Sequence, residues 1–254
     1  MIDKQILKTR FEANYDTYDL FATVQDSICC QICDQLQMMN LAPKNILEIG
    51  AGTGLLTKRL VKLFKSAEFT INDLSDRSAQ FVRQYFDTEV TILTGDAEQL
   101  NLGGNYDLIT SSSAVQWFSN LERFFTIVKS SLSTEGIFAF STFGPQNFTE
   151  IKQLTGSGLD YPSFDKLKQM LKSIGFELLY TCEYSHTMHF NKPIEVLKHI
   201  KATGVNALHK QIWTPGKLHQ FSNDYIYRFS DKNGSVKLTY HPIIFFCKNN
   251  FSTL

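Results

Sequence analysis

The chain has 254 residues, which suits one α/β domain with an insertion. Its 25 lysines and arginines balance its 25 aspartates and glutamates, so no global charge favours nucleic acid or an anionic membrane. Because the sequence shows neither a membrane-length apolar run nor the apolar core of a signal peptide, we expect a cytoplasmic protein without a membrane partner.

The first 40 residues read as helices. Residues 3–20 form a polar and aromatic helical segment of the kind that can close over a ligand. A second helix is predicted at about 24–40, and it ends before Pro43. We therefore treat residues 1–40 as an N-terminal helical cap.

Strand and helix patterns alternate from residue 45 onward. The predicted strands are 45–49, 68–72, 90–93, 106–111 and 136–142, and the predicted helices are 55–64, 75–86 and 120–131. This alternation is typical of a mostly parallel sheet with helices on both faces. A ligand is then expected beyond the carboxyl ends of the strands, near the first strand, where the winding reverses.

The second half of the chain is less regular. A helix is predicted at 163–174, with Ser163 as its N-cap and Gly175 at its end. Two extended stretches, 176–190 and 236–248, are predicted to form an antiparallel pair at one edge of the sheet. Between them, helical segments at 193–203 and 215–229 suggest a small lid insertion, which we assign to residues 191–230.

Glycine occurs at every second position directly after the first strand. The segment NILEIGAGTG places Glu48 in the strand and Gly50, Gly52 and Gly54 in the loop. Glycines allow a sharp turn and a close approach to a ligand, and the following helix directs free N–H groups at it. A dinucleotide fingerprint would need a third glycine at position 55, which is Leu55, so a pyrophosphate ligand is less expected.

Two acids follow the next two strands in register with this loop. Asp73 lies nineteen residues after Gly54, where a carboxylate can accept both hydroxyls of a ribose. Asp96 lies in the segment Gly95-Asp96-Ala97-Glu98. Together with Glu48 and the G-x-G-x-G loop, these acids resemble the signature of the class I S-adenosylmethionine methyltransferases.

This resemblance implies a Rossmann-like fold, a mostly parallel seven-stranded sheet with an antiparallel last strand. It implies S-adenosyl-L-methionine as the cofactor, with 41–145 as the cofactor-binding half of a single domain. Asp96 would pair with the adenine amino group. The implied cofactor-binding residues are Glu48, Gly50, Gly52, Gly54, Asp73, Leu74, Asp96, Ala97 and Ser112.

Other segments resemble a narrower family, the malonyl-[acyl-carrier-protein] O-methyltransferases of biotin synthesis. The resemblance covers nearly the whole chain. It rests on Tyr18-Asp19 with Ala22 and Gln25, on Ser113 to Phe118, on Phe140 to Gly144 with Asn147 and Glu150, on Lys201 to Leu208, and on Leu238 to Pro242. One position departs from the family, because Pro215 stands where relatives often have a basic residue.

The narrower resemblance implies methyl transfer to the free carboxylate of a malonyl thioester on a carrier protein or coenzyme A. A carboxylate is already ionised at pH 7, so no general base is expected. A cation and neutral donors would hold it. The candidates are Tyr18, Gln116 and Lys201 for positioning and Trp117, Thr142 and Asn206 for substrate binding. Tyr18 and Trp117 could equally be core aromatics, and Lys201 a solvated side chain.

An acidic carrier protein would need a basic face near the substrate entrance. The segment 186–219 has five lysines and one acid, Glu195, and also five of the six histidines. These histidines lack the spacing of a metal site, so no metal is expected, and the five cysteines are expected to be reduced thiols.

Three alternatives stay open at this point. The first is a methyltransferase for another small carboxylic acid or a quinone precursor, since the cofactor half would look the same. The second is a non-catalytic protein that binds S-adenosylmethionine. A nucleic-acid methyltransferase is the weakest, because the chain lacks the broad basic surface that it would need.

Overall fold

A computed structural model describes residues 3–204 and 214–250 of the chain. The strands in these residues are β1 Asn45–Ile49, β2 Glu68–Asp73, β3 Thr91–Thr94, β4 Tyr106–Ser111, β5 Leu132–Phe143, β6 Phe176–Glu183, β7 His186–Phe190, β8 Val236–Tyr240 and β9 Pro242–Asn249. The order of the main sheet is β3-β2-β1-β4-β5-β9-β6, and β7 pairs with β8 in a separate small sheet.

Helices cover both faces of the main sheet. They are α1 Lys4–Glu12, α2 Tyr15–Phe21, α3 Thr23–Met38, α4 Thr57–Leu63, α5 Ser78–Val82, α6 Leu121–Ser131, α7 Thr149–Thr155, α8 Phe164–Ile174, α9 Pro193–Ala202 and α10 Pro215–Phe229. The predicted helix 75–86 is shorter than expected, since α5 gives way to a 3-10 turn at Arg83–Tyr85. Helix α8 begins after its predicted cap, whose hydroxyl accepts the N–H of Lys166, and ends at Gly175.

The winding of the sheet reverses at β1. Strand β1 pairs in parallel with β2 on one side and with β4 on the other, while β9 runs antiparallel between β5 and β6. This confirms the predicted class I methyltransferase architecture. The carboxyl end of β1 is therefore the expected ligand position.

The predicted antiparallel pairing of residues 176–190 with 236–248 at one edge of the sheet is confirmed, but it is made by two pairs of strands instead of one. Each stretch is divided, so that β6 and β9 join the main sheet while β7 and β8 pair with each other. The break in the second stretch lies at His241 and Pro242. The N–H of His241 donates to Asn147 Oδ1, and proline has no N–H to donate, so the ladder stops there.

The sheet separates two apolar layers. Alternate residues of β9 enter opposite layers, with Phe245 on one side and Phe246 on the other. Four residues of the predicted lid insertion are buried in the same layer as Phe246; they are Val196, Ile200, Phe221 and Tyr225. Helices α9 and α10 are thus part of the hydrophobic core.

Helices α1 and α2 lie over the carboxyl ends of the strands, and polar contacts fix them there. Lys4 Nζ lies 3.3 Å from Asp96 Oδ1 and 3.0 Å from Glu98 Oε2. Thr53 Oγ1, in the glycine loop, donates to Asp19 Oδ1 at 2.6 Å. The N-terminal helices are therefore held over this edge of the sheet.

Candidate active site

A cavity of about 140 Å³ lies beyond the carboxyl ends of β1, β2 and β4. Its floor comes from the glycine loop and the strand ends, and its roof comes from α1 and α2. Eight of the nine predicted cofactor residues line it, namely Glu48, Gly50, Gly52, Asp73, Leu74, Asp96, Ala97 and Ser112. The topology thus brings together residues that are up to 64 positions apart in the sequence.

The three glycines of the loop differ in what they do. Gly50 has a φ of +74°, and a Cβ there would lie 2.5 Å from Ala114 Cβ. Gly52 has a φ of +57°, and a Cβ there would meet nothing within 4 Å. Gly54 does not line the cavity; a Cβ at this position would meet the ring of Tyr85 at 2.6 Å. The loop therefore needs glycine for packing at 50 and 54 and for cavity space at 52.

Asp73 links the loop to the end of β2. Its Oδ2 accepts the N–H of Gly52 and its Oδ1 the N–H of Ser75, both at 2.8 Å. The hydroxyl of Tyr15 lies 3.5 Å from Oδ1. Burial raises the pKa of Asp73, and these hydrogen bonds oppose that shift. Oδ2 has one donor and keeps a further lone pair, so Asp73 can also accept from a hydroxylated ligand.

Asp96 pairs with Lys4 of helix α1, which forms part of the cavity roof. Its Oδ1 lies within reach of Lys4 and accepts the N–H of Glu98 at 3.1 Å. Neighbouring Glu98 accepts two backbone N–H groups, from Ser119 and Asn120, at the start of α6. Glu98 thus supports the fold, while Asp96 Oδ2 can accept from a ligand.

Glu48 is buried at the end of β1 and lines the cavity. Its Oε2 accepts a hydrogen bond of 2.7 Å from Thr57 Oγ1. Burial raises the pKa of Glu48 to about 7, with a smaller contribution from the charge of Asp73. A cationic ligand beside Glu48 would favour its charged form.

We expect Glu48→Gln to stabilise the ligand-free protein at pH 8. Folding raises the pKa of Glu48 from 4.5 to about 7. Between these two pH values, the folded state therefore binds a proton on Glu48 that the unfolded state has lost. Stability from this group therefore falls as the pH rises through that interval, by about 3 kcal/mol in total. In urea unfolding, the free energy of unfolding of the variant relative to that of the wild type should increase up to about pH 7 and then stay constant. An equal difference at pH 4 and pH 8 would contradict this account.

A second, smaller chamber of about 10 Å³ adjoins the first cavity. The two share the lining residues Phe11, Tyr18, Gln25, Ser113 and Trp117. The small chamber has room for about one water molecule, so a larger acceptor would need its walls to move.

Unpaired polar atoms concentrate around this chamber. Seven buried side-chain nitrogen or oxygen atoms in the described part of the chain have no hydrogen-bond partner. Four of them belong to residues that line the chamber; they are Gln25 Oε1, Ser113 Oγ, Gln116 Oε1 and Trp117 Nε1. Since an unpaired buried polar group costs about 1–3 kcal/mol, this concentration indicates a site for a polar ligand.

Tyr240 forms another part of the chamber wall, and His199 lies behind it. His199 Nε2 is 2.7 Å from the Tyr240 hydroxyl, and burial lowers the pKa of His199 to about 4. The imidazole is therefore neutral at pH 7, and Nε2 can accept a hydrogen bond from the tyrosine hydroxyl. This pair fixes the position of Tyr240 without placing a charge in the chamber.

The predicted acceptor residues divide into three groups. Tyr18, Gln116 and Trp117 line the chamber. Lys201 is exposed on α9 and Thr142 is buried in β5, and neither residue lines the two cavities described above. Asn206 lies outside the described residues.

The alternation of side chains along β5 explains why Thr142 lines neither of the two cavities. Its neighbour Ser141 faces the site, where its hydroxyl accepts the N–H of Ser113 at 2.9 Å and lies 3.3 Å from Ser112 Oγ. Successive strand residues face opposite sides, so Thr142 faces away. Ser113 has a φ of +54°, an unusual backbone conformation for a residue other than glycine.

Sequence reasoning did not select Gln25 and Ser113 as site residues. Both residues lie in segments that resemble the family. Gln25 is at the end of the Tyr18-Asp19 motif, and Ser113 directly precedes Ala114-Val115-Gln116-Trp117. Two other motif residues form hydrogen bonds within the fold: Asn147, which also lines the chamber, and Glu150. Asn147 accepts the N–H of His241, and Glu150 accepts both the N–H and the hydroxyl of Thr239.

Comparisons with known proteins agree with this architecture. A family model described as a methyltransferase domain matches residues 46–136. A malonyl-[acyl-carrier protein] O-methyltransferase from Haemophilus influenzae is 35% identical over 97% of this chain and 95% of its own length. The chain belongs to the malonyl-[acyl-carrier protein] O-methyltransferase family.

A second member of this O-methyltransferase family shows that the domain also occurs in longer proteins. The relative of the same name from Bacteroides fragilis is 38% identical over 96% of this chain, which spans half the length of that relative. Among solved structures, the N-methyltransferase NodS from Bradyrhizobium japonicum, in complex with S-adenosyl-L-homocysteine, has a TM-score of 0.59 and 11% identity. This similarity covers 96% of our chain and 98% of NodS, and it supports the fold.

Residues 3–204 and 214–250 contain neither a cluster of metal-binding side chains nor a membrane-spanning helix. No three side chains of His, Cys, Asp or Glu type come together there as a metal site. None of the helices in these ranges has the length and apolarity of a membrane span.

Proposed function

We propose that this family member transfers the methyl group of S-adenosylmethionine to the free carboxylate of a malonyl thioester, carried by an acyl carrier protein or coenzyme A. The observation that carries this proposal is the chamber of unpaired polar atoms that adjoins the glycine-loop cavity. The ester product would serve as a primer for the pimeloyl chain in biotin synthesis. That pathway and a cytoplasmic location stay predictions from the sequence.

The first cavity suits S-adenosylmethionine. The space at Gly52 gives backbone access, Asp73 can accept from the ribose hydroxyls, and Asp96 from the adenine amino group. Glu48 offers negative charge to the cationic amino-acid end. When bound, this cofactor supplies an electrophilic methyl group, which a carboxylate oxygen accepts while sulfur keeps the electron pair of the broken bond.

The second chamber suits a carboxylate acceptor. A malonyl carboxylate is ionised at pH 7 and needs no general base, and no histidine lines either cavity within the described residues. Trp117 Nε1 and Ser113 Oγ are unpaired donors in this region. Burial raises the pKa of Tyr18, so its hydroxyl stays a donor at neutral pH. These groups would orient the carboxylate and replace the water that it loses.

We expect Trp117→Phe to lower kcat/KM for a malonyl thioester by about 10- to 100-fold, the range for losing one hydrogen bond to a charged group. Trp117 Nε1 has no hydrogen-bond partner among the described residues, so its loss breaks no hydrogen bond that the structure describes. Steady-state assays should therefore be paired with calorimetric titration of the cofactor, whose affinity should change less than threefold. A parallel loss of cofactor affinity would instead assign Trp117 to the first cavity.

Intact mass spectrometry tests the proposed reaction directly. Malonyl-carrier protein and malonyl-coenzyme A are incubated with the protein and S-adenosylmethionine, beside acetyl-carrier protein as a control without a free carboxylate. Gain of one methyl group on the malonyl forms alone supports the proposal. No gain on any form, with cofactor binding confirmed, would favour another small carboxylic acid, a quinone precursor or a non-catalytic role.

A further inference from the structure

The end of helix α2 exposes two consecutive apolar side chains. Leu20 is 75% exposed and Phe21 is 40% exposed. The two acids of this helix are already engaged, since Asp16 pairs with Arg77 and Asp19 accepts from Thr53. The exposed end of α2 is therefore apolar and carries no unpaired acid.

Helix α9, which packs beside α2, contributes positive charge. Lys198 and Lys201 are exposed and three residues apart, so they share one face of the helix. Val196 and Ile200 are buried on the opposite face. The acid of this helix, Glu195, accepts the N–H of Asn191 at 2.9 Å. We call Leu20, Phe21, Lys198 and Lys201 the α2–α9 surface.

The two helices that carry this surface also border the acceptor chamber. Tyr18, two residues before Leu20, lines the chamber, and so does Thr203, two residues after Lys201. A macromolecule bound here could deliver a group on a flexible arm into the chamber. Exposed lysines suit such an external contact better than they suit a carboxylate removed from water.

We propose that an acidic acyl carrier protein docks on the α2–α9 surface, with Leu20 and Phe21 as apolar contacts and Lys198 and Lys201 as cations. The inference rests on the proposed function and specifies its partner and docking residues. An apolar centre with charged residues around it is typical of transient interfaces. Because the lysines are exposed, added salt should weaken the interaction.

The test compares two thioesters of the same acyl group. Lys198→Glu, Leu20→Ser and the double variant are assayed with malonyl-carrier protein and with malonyl-coenzyme A. The double variant should lose at least tenfold in kcat/KM with the carrier and less than twofold with coenzyme A. The matched controls are Lys62→Glu, at an exposed lysine of α4, and Met38→Ser, at a residue of α3 that is 79% exposed. Both controls should keep wild-type turnover with the carrier.

The outcomes separate this inference from the proposed function. Unchanged carrier turnover in the double variant would overturn the docking surface while leaving the reaction intact. An equal loss with both thioesters would assign these residues to the chamber or to folding and would also overturn it. If the wild type methylates neither thioester, the proposed reaction fails. Fluorescence anisotropy with labelled malonyl-carrier protein then still decides the docking question, because weaker binding by the double variant supports the surface and equal binding refutes it.

Discussion

Replacing Asp73 by asparagine should weaken S-adenosylmethionine binding at least 100-fold. Both oxygens of Asp73 accept backbone N–H groups, from Gly52 and Ser75. Asparagine must direct its NH₂ group at one of these donors, so one hydrogen bond is replaced by a repulsive contact. Loss of a hydrogen bond to a charged group costs about 1.5–3 kcal/mol, and the contact with the ribose would weaken as well.

Isothermal titration calorimetry measures this loss. Asp87→Asn is the matched control, because it makes the same chemical change at an exposed aspartate that lines neither cavity. Its cofactor affinity should stay within twofold of the wild type. Asp73→Asn binding with wild-type affinity would show that Asp73 does not hold the cofactor.

Alanine at Gly50 and at Gly52 should have different effects, although both positions have positive φ. At Gly50 the new Cβ would lie 2.5 Å from Ala114 Cβ. Strain and overpacking together should destabilise this variant by about 3 kcal/mol. At Gly52 the Cβ meets no protein atom within 4 Å, so the expected loss is about 1 kcal/mol. That Cβ should nevertheless lower cofactor affinity at least 30-fold, because it projects where the ligand is expected.

Urea unfolding and cofactor titration on the same samples separate the two effects. Gly104→Ala is the control, since Gly104 lacks a positive φ and a Cβ there would meet nothing within 4 Å. It should change neither stability nor affinity. Equal stability of the Gly50→Ala and Gly52→Ala variants would show that the contact with Ala114 is relieved without cost.

Eight of the nine residues predicted to bind the cofactor line one cavity, because their positions follow from local rules. Glycines after a buried strand and acids at the ends of the next strands must meet at one edge of a parallel sheet. The acceptor chamber depends instead on contacts between distant elements. Tyr18, Trp117 and Tyr240 come from three parts of the chain, and their meeting depends on helix packing that no local pattern records.

Thr142 and Lys201 illustrate the same limit. The sequence identified the motif that contains Ser141 and Thr142. Only the folded sheet shows that the Ser141 side chain points towards Ser113 and that Thr142 points to the other side. Lys201 lies in a matched segment, yet helix periodicity places it with Lys198 on the solvent side. A motif can identify a segment of a site without identifying the side chain that enters it.

Helices α1 and α2, which form the roof of the site, bear on how ligands enter and leave it. Phe11 and Tyr18, from α1 and α2, border both the cofactor cavity and the acceptor chamber. A displacement of these helices that admits one ligand therefore alters the binding site of the other. If both ligands bind as proposed, we expect cofactor exchange and acceptor entry to be linked through this pair of helices.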